Sequence, residues 1–297
     1  MTRRITIIVV VLLASLSMKG QERSSAVMAD IQDINAQLEK IRTYYDDADK
    51  LQANNQAKDV LNELLQDPQS MDYNYDSLKH ITILESSDEK LRIFTWNLML
   101  DDLTHQFYGF IQYRPENDKY YIHELKDKTD LSEDSKAKYH YPSEWYGAIY
   151  YDLIEKKHRG NTIYTLLGWK GQDALVQQKV IETLEFGRKG LPEFGDRNFR
   201  LMREQKDRII FRYSIKAQMI LRFNEKQDLI VCDHLSSGNP KYTGHWEYYG
   251  PDYSYDAFEF DRGRWYYKSD IDPEIAINYK KDKKIDLLDQ KKPSKNF

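Results

Sequence analysis

Apolar residues follow three patterns along this chain. Ile5 to Leu16 is a nearly unbroken greasy run behind Arg3 and Arg4. From residue 24 to 66 the apolar positions recur at spacings of three and four, as in Ile31, Ile34, Leu38, Ile41 and Tyr45. That period predicts one sticky face of a helix. Asn54-Asn55 reads as the point where the run divides into two helices. Val60, Leu61, Leu64 and Leu65 supply the second face, and Pro68 ends the segment.

After Asp76 the spacing shortens and strands are predicted. The first four are Leu78–Leu84, Leu91–Asn97, Gln106–Tyr113 and Tyr120–Leu125, with the polar turn Ser86 to Glu89 between the first two. Residues 126–138 are charged and aperiodic, which predicts a loop or a surface helix. Trp145–Ile154 and Thr162–Trp169 resume the strand pattern across a link containing Gly160. Asp173–Glu182 is ambiguous, a short helix covering the end of the β body being one reading, and the glycines of 186–198 predict irregular backbone. Three closely spaced strands follow, Arg208–Ser214, Gln218–Phe223 and Asp228–Asp233. Their short links imply antiparallel neighbours, because parallel ones need long crossovers. Ala257–Phe260 and Arg264–Tyr267 read as a hairpin around Asp261-Arg262-Gly263.

The expected fold is therefore mainly β: an antiparallel β-sandwich or barrel-like body preceded by an N-terminal α-helical hairpin. The expected divisions are a signal peptide over 1–20, the helical hairpin over 21–68, the β domain over 69–279 and a lysine-rich tail over 280–297. The leader has a charged start, an apolar middle and a small residue, Gly20, at the junction with Gln21. Its apolar core is too short for a permanent span, and no later stretch is apolar enough for one. Export to the periplasm is the first expectation, with the outer-membrane periphery or the exterior behind it.

Charge and cysteine content narrow the classes. Removing Arg3, Arg4 and Lys19, with no acid among the first twenty residues, takes the formal charge from −4 to −7. An acidic chain is poorly suited to phosphate-dominated nucleic-acid binding. The tail lysines alternate with Asp282, Asp286 and Asp289, as on a solvated segment. The single Cys232 cannot form an internal disulfide and reads as a small buried hydrophobe. Its spacing to His234 would put both on one strand face, leaving a thiol–imidazole pair open.

The strongest binding candidate is the segment 236–255, long for a structureless connection. It interleaves Tyr242, His245, Trp246, Tyr248, Tyr249, Tyr253 and Tyr255 with Glu247 and Asp252. Flat rings beside carboxylates suit sugars or peptides. The site expected there comprises Trp246, Glu247, Tyr248, Tyr249, Asp252 and Tyr253. The alternative is that the rings only fasten a loop to the sheet. A second aromatic run, Tyr139 to Tyr151, is apolar on both faces and reads as a buried central strand. The seven histidines show no metal-ligand spacing, and Asp270, Asp272 and Glu274 lack the frame of a calcium loop. No Gly-x-Ser-x-Gly elbow is present, and no cofactor is implied. Asp233, Glu247, Asp252, Asp256 and Glu259 are the acids available for glycoside chemistry.

Three segments carry a resemblance: Trp145 to Tyr151, Tyr164 to Trp169, and Tyr255 to Ile271. With the Gly20-Gln21 junction, they make the chain resemble a family of uncharacterised exported proteins from Bacteroidetes bacteria. That resemblance implies export and brings no activity. Asp76-Ser77-Leu78 is similar to the acceptor triad for O-linked sugars in such proteins. The expected function is a non-enzymatic envelope protein that binds a glycan, a peptide or a partner protein through the aromatic segment. The alternatives are an assembly role through the N-terminal helices and a carboxylate-dependent glycan hydrolase.

Overall fold

In the computed structural model, the leader and the amphipathic segment together fold as α1 (Thr2–Thr43) and α2 (Asp47–Leu65). The structure describes every residue except Met1, Tyr45, Asn117, 130–138, Arg197 and 278–297, with side chains from Arg23 onward. The lysine-rich tail, most of the charged 126–138 segment and Tyr45 thus lie outside the described residues. The chain divides into two compact units, Met1–His80 and Ile81–Phe297.

In the first unit, Ile31, Ile34 and Leu38 of α1 are buried, as are Ala53, Ala57, Leu61, Leu64 and Leu65 of α2. The break between the helices falls before Asp46, not at Asn54-Asn55. Asp46 is the reason: its carboxylate accepts from the Ala48 N–H at 2.8 Å and the Asp49 N–H at 3.3 Å. Such an N-cap satisfies amides that would otherwise be orphaned. Asn54 is instead fully buried in mid-helix. The chain then returns along α1, where the Asn35 side chain donates to Ser77 O at 2.8 Å and accepts from Lys79 N at 2.7 Å.

The second unit is mainly β, in three sheets. The first sheet is an antiparallel meander of β1 (Thr82–Glu85), β2 (Leu91–Met99), β3 (His105–Glu116) and β4 (Lys119–Lys126). The second has the order β5 (Tyr139–His140), β9 (Pro192–Gly195), β8 (Val176–Phe186), β7 (Asn161–Gly171), β6 (Ile149–His158), and β12 (Arg208–Ser214) also pairs with β8. The third has the order β11 (Gln205–Lys206), β10 (Phe199–Arg200), β16 (Arg264–Lys268), β15 (Gly250–Asp261), β14 (Leu229–Ser236), β13 (Leu221–Asn224). Among the described residues all strand pairings are antiparallel except the short one between β10 and β16, and Asp127 forms an isolated parallel bridge with Trp145.

The second sheet is the middle layer. Strand side chains alternate between faces, and consecutive Leu166 and Leu167 of β7 enter different cores. Leu166 joins Ile93, Phe107, Ile111 and Leu125 of the first sheet. Leu167 joins Ile230, Cys232, Phe258 and Trp265 of the third. The outer face of the third sheet is covered by a short helix, α3 (Pro273–Ile277), through Ile275 and Ala276.

Polar groups buried between the first two layers are matched. Arg208 Nε donates to Glu182 at 2.7 Å with both side chains shielded from solvent. Glu182 also accepts from Tyr150, whose hydroxyl takes the Trp145 indole N–H at 2.7 Å. Lys170 lies 4.2 Å from the centre of the Phe107 ring, donates to Gly147 O at 2.9 Å and faces Asp127 at 3.7 Å. Burial pulls its ammonium down to about 8.

Four expectations are corrected. Residues 176–186 form the central strand β8 and not a covering helix, since pairing on both sides overrides the helix-forming Gln, Lys and Glu. Trp145 precedes its strand, which begins at Ile149. The first strand begins at Thr82, not Leu78. The three strands after residue 207 are not consecutive neighbours: β13 pairs with β14 in the third sheet, while β12 pairs with β8 in the second. The short Ile215–Ile220 link therefore crosses between layers.

Candidate functional site

The layer crossing after β12 opens a cleft in the second unit. Among the described residues β12 has only β8 as a strand partner, and its other edge carries no neighbouring strand there. A cavity of about 1010 Å³ runs along that edge. Five consecutive residues, Arg208 to Arg212, line it. A strand presenting a face contributes alternate residues; one presenting its edge contributes consecutive ones. The direction of the backbone agrees. Ser214 N–H points away from β8 and bonds to Tyr249 O at 2.9 Å. The two-residue period turns the N–H and C=O of Ile210 and Arg212 the same way, into the cleft.

The opposite wall comes from the third sheet: Asp233, His234 and Leu235 of β14, Asp256 and Phe258 of β15, and Tyr267 of β16. Leu201 to Lys206 close one end, and Trp246 with Tyr249 close the other. His234 is exposed, and its Nδ1 lies 2.8 Å from Asp256 and its Nε2 3.9 Å from Asp252. The hydrogen bond to Asp256 raises its pKa. Asp256 also accepts from Asp270 N at 3.1 Å. Asp233 accepts from Ile220 N at 2.6 Å, and its own N–H donates to Ile220 O at 3.0 Å. Burial raises its carboxyl pKa. Both buried acids of the cleft are thus already engaged in holding backbone.

The aromatic segment is shorter than expected. The irregular part ends at Tyr249, and β15 begins at Gly250. Asp252, Tyr253 and Tyr255 are therefore strand residues. Trp246 and Tyr249 pack together at 4.9 Å between ring centres, and both reach the cleft. The Arg212 guanidinium sits 5.8 Å from the Trp246 ring. Tyr248 stacks on Tyr242 at 4.2 Å, exposed and away from the cleft lining. Glu247 lies 3.6 Å from His245, and Tyr253 is 89% exposed. Of the six residues expected to form the site, Trp246 and Tyr249 line the cleft, Asp252 is linked to it through His234, and Tyr248, Tyr253 and Glu247 are elsewhere on the surface.

Arg208, Ile210 and Arg212 were not foreseen. Their strand was legible, but its neighbours were not, and the open edge follows from the neighbours. Cys232 is buried, and its thiol contacts Asp256 O at 3.6 Å. It therefore has no accessible pairing with the exposed His234. No group of three or more metal-ligating side chains gathers among the described residues. No helix among them is long and apolar enough to cross a membrane. The chain matches no family model, no curated protein and no solved structure.

Proposed function

We propose that this is a binding protein that takes an extended peptide segment into the cleft by adding it to the open edge of β12. The observation that supports this reading is the consecutive lining by Arg208 to Arg212, with amides and carbonyls directed outward. An added strand draws affinity from such groups and specificity from side-chain pockets at every second position. Phe258, Leu235 and Tyr267 offer apolar pockets, and Trp246 with Tyr249 forms an end wall. A glycan is served less well. A sugar needs a free ring face, whereas Trp246 is already engaged by Tyr249 and Arg212. Hydrolysis is served less well still, because Asp233 is engaged by the Ile220 amide and Asp256 by the Asp270 amide and the His234 ring. Action outside the cytoplasmic membrane, first in the periplasm, remains part of this reading and rests on the leader pattern.

The test is a selection of random decapeptides on the purified protein, followed by a scan of backbone N-methylation. Binding should be lost on methylation at alternate residues and kept at those between, because strand addition uses every second amide. Ile210→Pro should abolish binding without unfolding, since the amide it removes faces away from β8. Peptides that tolerate methylation throughout, or saturable binding of neutral oligosaccharides alone, would overturn the reading.

A further inference from the structure

A second cavity, of about 460 Å³, lies between two hairpin turns of the second unit. One is His158-Arg159-Gly160-Asn161, joining β6 to β7; the other is Asp261-Arg262-Gly263-Arg264, joining β15 to β16. Each is a two-residue turn with both central residues in the left-handed region: φ is 50° and 86° in the first, 48° and 83° in the second. This turn type favours Asn, Asp or Gly at its first central position. Both hairpins carry arginine there instead. A left-handed side-chain residue costs about 1–2 kcal/mol, and such strain often marks a functional position.

The two turns abut. A Cβ on Gly263 would lie 2.7 Å from the His158 ring. Arg159, Arg262 and Arg264 all line the cavity and all are exposed. Neither Arg159 nor Arg264 has a side-chain hydrogen bond or ion pair with a described residue, and Arg262 has only the exposed Asp261 at 3.7 Å. Three guanidiniums are thus available, two on the turns and one at the start of β16. The guanidinium fork matches phosphate oxygens in pairs. Glu185 and Asp196 line the same cavity, each already with an interaction partner of its own and with acceptor positions to spare. Carboxylates repel a bare anion but accept hydrogen bonds from hydroxyl groups.

We propose that this cavity binds a phosphorylated sugar or polyol, the arginines holding the phosphate and Glu185 with Asp196 the hydroxyls. The site is independent of the peptide cleft and goes beyond that reading. The ligand's source is either a free sugar phosphate or a lipid headgroup of the same chemistry.

The experiment is calorimetric titration of the full chain with glucose 6-phosphate, inorganic phosphate and glucose. In parallel, sedimentation uses phosphatidylcholine vesicles with and without one-tenth phosphatidylinositol 4-phosphate. Arg159→Asn/Arg262→Asn is the diagnostic variant, because asparagine suits the turns and should leave the melting temperature equal or higher. Glucose 6-phosphate should bind more tightly than phosphate or glucose, with affinity falling by about tenfold per guanidinium removed. Binding seen only with the phosphoinositide vesicles, and lost in the variant, supports the site with a lipid source. No binding by any probe, or equal binding by the variant, overturns it.

Discussion

His234 is the residue through which solution conditions reach the cleft. It is the exposed member of a pair whose other member, Asp256, is buried and braced by the Asp270 amide. The hydrogen bond to Asp256 raises the imidazole pKa above its ordinary 6.5. A base whose folded pKa is raised binds its proton more tightly in the folded state. Its stabilisation is therefore complete below pH 6.5 and is lost as pH rises through the higher folded value. The unfolding midpoint in urea should fall between pH 6 and pH 8.5 more steeply in the native protein than in His234→Gln. Half of the ring is open to solvent, so the difference will be modest. Equal pH profiles for the two proteins would show that the pair does not couple protonation to folding. The same proton sits on the cleft wall, so peptide capture should share the sign of this dependence if the ligand carries an acidic side chain beside His234.

Turns and strand neighbours carry the next level of argument. Gly263 and Gly160 occupy equivalent places in matching turns, with φ of 83° and 86°, but their surroundings differ. An added Cβ meets nothing within 4 Å at Gly160, whereas at Gly263 it strikes the His158 ring. Gly160→Ala should cost only the left-handed penalty, about 1–2 kcal/mol. Gly263→Ala should cost more, because the two hairpins must part to admit it. Thermal unfolding of the pair measures the difference, and equal losses would mean the turns are not packed together. Such hairpins were legible in the chain because local chemistry fixes them: Asp261-Arg262-Gly263 announced its turn without help from the rest of the molecule. β2, β3, β4 and β7 were legible for the same reason, each a short run rich in apolar and aromatic residues. What stayed hidden depends on remote partners. Val176–Phe186 is strand because β7 and β12 flank it, although Gln177, Gln178, Lys179 and Glu182 suit a helix. Arg208–Ser214 was correctly placed as a strand, yet the short link to Leu221 hid its departure to another sheet. The aromatic segment showed its composition but not its geometry: Trp246 and Tyr249 turn to the cleft, and Tyr248 and Tyr253 do not.

At the scale of the whole molecule, the cores decide what can stand alone. Every member of the three clusters joining and covering the sheets lies beyond residue 83. The helical unit buries its own stripe within residues 1–80. A segment with its own closed core can fold without the rest. Residues 81–277 expressed by themselves should therefore give dispersed amide resonances and one cooperative urea transition, and should retain both cavities. The layered order adds a condition. The middle sheet contributes Leu166 to one core and Leu167 to the other, so neither outer sheet can be lost without exposing half of the middle one. Removing residues 81–126, which supply the first sheet, should thus abolish folding of the remainder rather than leave a smaller sandwich. A two-step transition for 81–277, with the first sheet melting separately, would show that the layers are only loosely coupled. It would also undercut the peptide cleft, because β12 is held in place by the Glu182–Arg208 pair that the first sheet helps to bury.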